Sequence, residues 1–455
     1  MSEQRESIHG QWSSRWIFIL AATGSAVGLG NIWKFPYITG ENGGGAFVLV
    51  YLLCIAIIGI PIMMAEVLLG RRGRQSPIHT MRDLAKAEGG HKAWQLLGWS
   101  GVIAGFLILS YYSVIAGWAL AYIVESGTGA FHGQSAVNIG KIFDELIANP
   151  QRLLFWHTVF MLMTMIVVAR GVKKGLEVAI RFLMPALFVL LLIMVGYATS
   201  TGAFMEGITY LFSPDFSKLS KAGFVTAMGH AFFTLSLGMG AIMIYGSYMP
   251  DNASIAKTSI LVAISDTLVA LLAGMAIFPI VLSNGLEPGS GPGLIFSTLP
   301  IAFGQMAGGV FFGTLFFILL SFAAWSSSIS LIEPAVTWLI ENRSMSRIKA
   351  SVIAGVLTWV VGLGTVLSFN LAANIKLFDK TFFDLLDYLT SNIMLPLGGL
   401  FIAIFVVWVM KKESTVAELK MGEGPAYQVW RISVRYVTPL AVIFVFLHAI
   451  GLIKV

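Results

Sequence analysis

Charge is what this chain has least of. Only 11% of its 455 residues are Asp, Glu, Lys or Arg, against about 25% in a typical soluble domain. Hydrophobic residues make up 57%, and the mean hydropathy is +0.82. An ordinary water-soluble fold is excluded, because so little polar surface cannot cover a hydrated globule. Cysteine is nearly missing too. The single Cys54 lies inside an apolar run, so no intramolecular disulfide framework exists, and it reads as a small core residue. Neither a His-Glu-x-x-His zinc motif nor a Gly-x-Ser-x-Gly elbow occurs, which argues against an intramembrane hydrolase. The Gly238-x-Gly240 pair is too short, and too deep in apolar sequence, for a dinucleotide fingerprint. The net charge of +6 reads as basic loops at a membrane face, not as a nucleic-acid surface.

What the chain does have is long apolar runs. A hydrocarbon core of about 30 Å takes roughly 20 apolar residues per helix, and backbone polar groups must be satisfied within the spanning element. The runs are too uniformly apolar for alternating barrel strands. Hydropathy and flanking residues predict an all-α protein with eleven spans near 14–38, 44–70, 95–126, 153–170, 176–198, 222–247, 256–284, 306–340, 347–369, 382–410 and 434–452. Basic residues gather in alternate loops, with Arg71, Arg72, Arg74, Lys173, Lys174, Arg343, Arg347, Lys411 and Lys412 on the side of the amino terminus. That bias predicts a cytoplasmic segment 1–13 and an external carboxyl terminus. The first apolar run lacks a small-residue cleavage site and is read as a helix, not a signal peptide. No tandem repeat or linker interrupts the chain, so 1–455 reads as one membrane domain.

Two spans, the first and the sixth, carry glycine and small polar residues where lipid-facing leucine would be expected. The first reads Ala22-Thr-Gly-Ser-Ala-Val-Gly-Leu-Gly-Asn-Ile-Trp-Lys-Phe-Pro36, and the sixth Phe232-Phe-Thr-Leu-Ser-Leu-Gly-Met-Gly240. Glycine inside a helix costs about 0.5–1 kcal/mol relative to alanine. Close helix packing explains a single pair of glycines. Corresponding positions in two five-helix halves, 14–198 and 222–410, predict instead an inverted repeat with two interrupted helices, leaving 434–452 as an additional span. Freed carbonyls and the negative helix end suit a cation, while bare amides suit a carboxylate. A zwitterionic amino acid beside a sodium ion satisfies both.

At this point the sequence resembles the neurotransmitter:sodium symporter family, in its bacterial amino-acid transporter branch with the leucine-transporter fold. The resemblance runs from Trp12 to about Arg435 and rests on GSAVGLGNIWKFPY from Gly24, ENGGGAF from Glu41, GIPIMMAEVLLGR from Gly59, FFTLSLGMGA from Phe232 and FAAWSSSISLIEP from Phe322. It implies a first sodium site of the Ala26 and Thr234 carbonyls, the Thr234 hydroxyl, the Asn31 side chain and the substrate carboxylate. A second would use the carbonyls of Gly24, Val27 and Ala323 with the hydroxyls of Ser326 and Ser327. Oxygen ligands suit a hard cation. Asp266 stands where chloride-dependent members carry a neutral amide, so it is expected to serve the first site as a fixed negative charge and to remove any need for chloride. Glu66 is expected to brace the unwound backbone.

The resemblance further places the substrate carboxylate at the amides of Leu29 and Gly30 and the Tyr112 hydroxyl. The substrate side chain is expected among Ile108, Phe233, Ser236, Met239, Ser327 and Leu331, a mostly apolar set with one adaptable methionine, suited to a hydrophobic or aromatic amino acid. Lys34 and Asp387 are the expected outer gate, with lysine where arginine is usual; His230, one turn before Thr234 and where glutamine is usual, is expected as a neutral hydrogen-bonded histidine, the alternative being a pH-sensitive member of that gate. Trp12 and Tyr248 are expected to pack at the inner mouth with Glu341, whose usual basic partner falls at His9 here: either His9 protonates, or Arg5 substitutes, or this gate is weak. The function so implied is sodium-coupled symport of a neutral L-amino acid across the inner membrane of a bacterium, with no enzymatic activity and no obligatory protein or nucleic-acid partner. An ion channel or an amino-acid sensor is the alternative. Against the channel, no ring-forming repeat is visible; against the sensor, there is no long signalling tail.

Overall fold

The computed structural model describes residues 8–288 and 291–453. Among these, all regular structure is helical apart from one isolated bridge between Leu377 and Lys380. The chain runs through α1 (Arg15–Ala26), α2 (Gly30–Glu41), α3 (Gly45–Gly73), α4 (Pro77–Ala87), α5 (Lys92–Gly127), α6 (Ala136–Ala148), α7 (Pro150–Ala169), α8 (Val172–Thr199) and α9 (Phe204–Phe212). It continues as α10 (Lys221–Thr234), α11 (Ala241–Ser247), α12 (Ile255–Ser283), α13 (Thr298–Gln305), α14 (Gly309–Arg343), α15 (Arg347–Ser368), α16 (Phe382–Val409), α17 (Lys412–Leu419) and α18 (Pro425–Ala449).

Among the described residues nine helices are long and apolar enough to cross a bilayer, and α1 with α2 forms a tenth span bent by 53°. The sequence predicted eleven. The segment expected as the sixth, interrupted span is indeed broken, into the two short helices α10 and α11 joined through residues 235–240, and neither reaches the length a crossing needs by itself. The last span begins at Pro425 rather than near 434, because proline is well suited to a first helical turn, where its missing N–H leaves nothing unsatisfied.

Local signals account for many helix starts. Side-chain oxygens of Ser14, Asn149, Ser220, Ser254 and Ser346 accept from backbone amides of the first turns they precede, and Thr381 with Asp384 forms a reciprocal capping box. The interior is organised around α5 and α14, which pack on each other, while α1 lies against α8, α12 and α14. Outward faces of α7, α8 and α15 carry exposed apolar side chains such as Leu162, Ile166, Val189, Leu192 and Val356, the surface a lipid-embedded bundle must present. Asp266, Asn31, Glu66 and Glu333 lie at the opposite extreme, fully buried.

Candidate substrate and ion site

The site is built where the two interrupted helices meet. α1 ends at Ala26, and Val27 turns extended at φ −66° and ψ 112°. The chain resumes at Gly30 as a π-helical turn through Lys34. In the other interruption Ser236, Gly238 and Gly240 all have positive φ, of 54°, 81° and 75°, a region that glycine enters at no cost. Ser236 spans the two breaks: its hydroxyl donates to the Ser25 carbonyl at 2.9 Å. Glu66 on α3 accepts the Gly238 amide, a contact with the second break of the kind the family resemblance implied. Gly105 on α5 admits the same region closely, since a Cβ there would stand 2.7 Å from the Leu331 carbonyl oxygen and 3.5 Å from that of Met239. The spacing Gly101-x-x-x-Gly105 was the only sequence signal for that approach.

Three predicted residues come together as a buried cluster. The Asn31 amide nitrogen donates to the Asp266 carboxylate at 2.8 Å and to the Thr234 hydroxyl at 3.1 Å. The Thr234 hydroxyl donates to the other carboxylate oxygen of Asp266 at 2.9 Å. The Asn31 side-chain oxygen accepts from the Gly28 amide at 3.0 Å. Asp266 thus touches residues of both interrupted helices, and all three side chains are within 1% of complete burial. A second cluster lies on the other face of the first break. Ser327 donates to the Val27 carbonyl at 2.8 Å and approaches that of Gly24 at 3.4 Å, while Ser326 donates to the Ala323 carbonyl at 3.0 Å.

Tyr112 accepts the Leu29 amide at 3.2 Å. Ile108, Met239 and Leu331 are buried. Phe233 covers the break, its ring 3.3 Å from where a Cβ on Gly30 would lie, and also lines a cavity of about 200 Å³ with Lys34, His230, Ser391, Asn392 and His448.

The expected Lys34–Asp387 pair is not formed. Lys34 lies over the Phe233 ring, 4.3 Å from its centre, and Asp387 accepts instead from Ser391 at 2.9 Å and Tyr111 at 3.3 Å. These hydroxyl partners on or facing α16 gave no signal in the sequence. His230 is sandwiched beside Phe35 and Tyr51, with ring centres 6.1 and 5.4 Å apart, and neither of its nitrogens has a hydrogen-bond partner among the described residues. The polar contact expected for it is therefore replaced by stacking.

The mouth formed by Trp12, Tyr248 and Glu341 is closed. Trp12 packs edge-on against Tyr248 at 5.9 Å and donates its backbone amide to the Tyr248 carbonyl at 3.0 Å. Glu341 is held by His9 at 3.0 Å, by His79 at 2.8 Å and by the Ser76 amide at 2.9 Å. Arg5 lies outside the described residues. Sequence reasoning missed His79 and Ser76, because only the turn between α3 and α4 brings them under α14. It also missed Glu333, which accepts the Tyr248 hydroxyl at 2.8 Å and pairs with Arg347 at 2.5 Å.

Two interrupted helices enclosing buried oxygens between a closed mouth and an unlatched one form the architecture of a secondary transporter. The chain belongs to the Sodium:neurotransmitter symporter family, whose family profile matches residues 9–139 and 128–454. It is 40% identical over 461 residues, all of both chains, to the uncharacterized sodium-dependent transporter YhdH of Bacillus subtilis. It is 37% identical to an uncharacterized sodium-dependent transporter of Haemophilus influenzae, over 96% of this chain and 97% of that one. The crystal structure of MhsT in complex with L-phenylalanine is similar at 44% identity and a TM-score of 0.89, covering 97% of this chain and 99% of that one. This is therefore a multi-pass membrane protein of a sodium-dependent transport family, with an all-α fold of the leucine-transporter kind.

Proposed function

We propose that this protein couples sodium entry to uptake of a neutral, hydrophobic or aromatic L-amino acid by alternating access, without chloride. The observation that carries this reading is the fully buried Asp266 carboxylate, held between Asn31 of the first break and Thr234 at the second. One carboxylate surrounded by neutral oxygens matches a monovalent cation. Among the described residues no group of three His, Cys, Asp or Glu offers a transition-metal site. In this reading the first sodium sits among Asp266, Thr234, Asn31 and the Ala26 carbonyl, and the Asn31 amide turns over to present its oxygen. The second sits among Gly24, Val27, Ala323, Ser326 and Ser327.

The substrate carboxylate takes the place of Tyr112 on the Leu29 amide, with Gly30 beside it, and completes the first ion's shell. That shared ligand makes each binding event favour the other. The side chain then lies among Ile108, Phe233, Ser236, Met239, Ser327 and Leu331, where an apolar group replaces lost hydration best. The L-phenylalanine in the MhsT complex supports a substrate of this class. Lys34 over Phe233 and the closed Trp12–Glu341 mouth correspond to a state open toward the outside. The protein then has eleven spans in two inverted halves, 14–198 and 222–410, with its amino terminus in the cytoplasm and its carboxyl terminus outside a bacterial inner membrane.

The deciding experiment is uptake of a radiolabelled amino-acid panel into proteoliposomes under an inward sodium gradient. Uptake of aromatic and branched apolar amino acids is expected to vanish when choline replaces sodium and to persist when gluconate replaces chloride. Uptake indifferent to sodium overturns the reading, and chloride dependence overturns the role of Asp266. Glu341→Gln tests the inner mouth separately. It retains the shape of the side chain but removes the charge that His9, His79 and Ser76 share, so deuterium exchange over residues 8–16, which include the Trp12 amide, is expected to rise roughly tenfold, the loss of about 1.4 kcal/mol of closure. Unchanged exchange would mean that aromatic packing alone holds the mouth.

A further inference from the structure

Beyond α16, the chain turns through α17 and enters α18 on the same side of the molecule as Glu341. The position of α17 is set by Glu418, whose carboxylate pairs with Arg71 at 2.5 Å at the end of α3. Between these elements lies a cavity of about 540 Å³ lined by Lys412, Glu423, Tyr427, Arg431, Arg435 and Tyr436, among others. It holds three cations and one carboxylate, and that carboxylate, Glu423, pairs with Lys412. Arg431 donates to the Tyr427 hydroxyl at 2.9 Å. The Arg435 guanidinium stands 4.4 Å from the Trp408 ring centre and 5.4 Å from that of Tyr436, and its Nε is buried without a partner among the described residues. Neither arginine has a carboxylate partner there. Ring faces support a guanidinium but leave its N–H groups available to an oxyanion.

The surface next to the cavity is apolar. Trp408, Ile432, Tyr436 and Leu440 are all exposed, and the last three fall at helical spacing along one face of α18. A tryptophan and a tyrosine on a lipid-facing stripe mark the depth where hydrocarbon gives way to headgroups. Basic pockets between membrane helices at that depth suit phosphate headgroups.

We propose that this cavity binds an anionic phospholipid, with Lys412, Arg431 and Arg435 holding the phosphate and an acyl chain lying along Ile432, Tyr436 and Leu440. Glu423 would oppose a bare anion, but it can accept from a hydroxyl, which favours a glycerol headgroup such as that of phosphatidylglycerol. None of these residues belongs to the ion or substrate clusters, so this site stands or falls independently of the transport reading.

The test is native mass spectrometry of the full-length protein in detergent, titrated with phosphatidylglycerol or phosphatidylcholine of matched chains. Preferential retention of phosphatidylglycerol is expected, reduced roughly tenfold or more in the R431Q/R435Q double variant and largely restored in R431K/R435K. The lysine pair retains the charge, so its recovery separates lost binding from a damaged fold. Equal retention of the two lipids, or undiminished retention in R431Q/R435Q, overturns the proposal. Displacement of the lipid by millimolar inorganic phosphate would identify free phosphate as the occupant and overturn it as well.

Discussion

Asn31→Ala is expected to abolish sodium-dependent uptake while the protein still inserts and elutes as a single species. The side chain holds two things at once. Its nitrogen satisfies the Asp266 carboxylate at 2.8 Å, and its oxygen accepts the Gly28 amide at 3.0 Å inside the first break. Removing it takes an oxygen from the proposed cation shell and strands a buried carboxylate and a buried amide, each an expense of about 1–3 kcal/mol. Since every 1.4 kcal/mol is about tenfold in affinity, loss of both supports, about 2–6 kcal/mol together, lowers sodium affinity by roughly 30-fold or more. The measurement is sodium-dependent binding of a labelled amino acid to purified protein, with thermal unfolding alongside. Binding within threefold of the parent protein would remove Asn31 from the ion site. A fall in unfolding temperature without loss of sodium dependence would make it a purely structural residue.

Asp266→Asn is expected to have the second-largest effect, and a conditional one. The side chain stays nearly the same size and can still meet Asn31 and Thr234, but the buried negative charge is gone. A cation entering the fully buried cluster then has no fixed counter-charge, and desolvation of an unpaired ion in such surroundings is strongly unfavourable. Uptake in chloride-free medium is expected to fall more than tenfold, and added chloride is expected to restore part of it by supplying the missing charge. Loss of uptake that chloride does not relieve leaves Asp266 essential but refutes the exchange of one negative charge for another. Full activity without chloride would show that the ion never senses this carboxylate.

Much of the protein could be read from the order of its residues alone. Hydrophobicity over windows of membrane thickness is a local property, so the apolar spans were legible, and so was the bend near Gly28, because glycine and asparagine cannot disguise the cost of breaking a helix in lipid. The interruption in segment 222–247 was legible in the same way, from the glycines after Phe232. What the sequence did not show is that Ser236 turns left-handed together with Gly238 and Gly240, so that α10 and α11 emerge as separate short helices.

The two ion clusters join residues far apart in the sequence, Asn31 with Asp266 and Val27 with Ser327. The residues alone identified the chemical kind of each member: an intramembrane carboxylate, freed carbonyls, a serine run. Their grouping into two sites came from the family resemblance, and only tertiary packing decided which atoms touch. The gates show the division most sharply. Glu341 was visible as an acid at a helix end, but that it holds His79 and Ser76 as well as His9 depends on the fold of the turn between α3 and α4. Lys34 and Asp387 were visible as opposite charges, but whether they pair depends on competing neighbours, and here Phe233 takes the cation while Ser391 and Tyr111 take the carboxylate. Periodicity and backbone cost act within a few residues and are written in the sequence. A contact between distant side chains depends on the distances and angles of the assembled helices, which only the tertiary structure supplies.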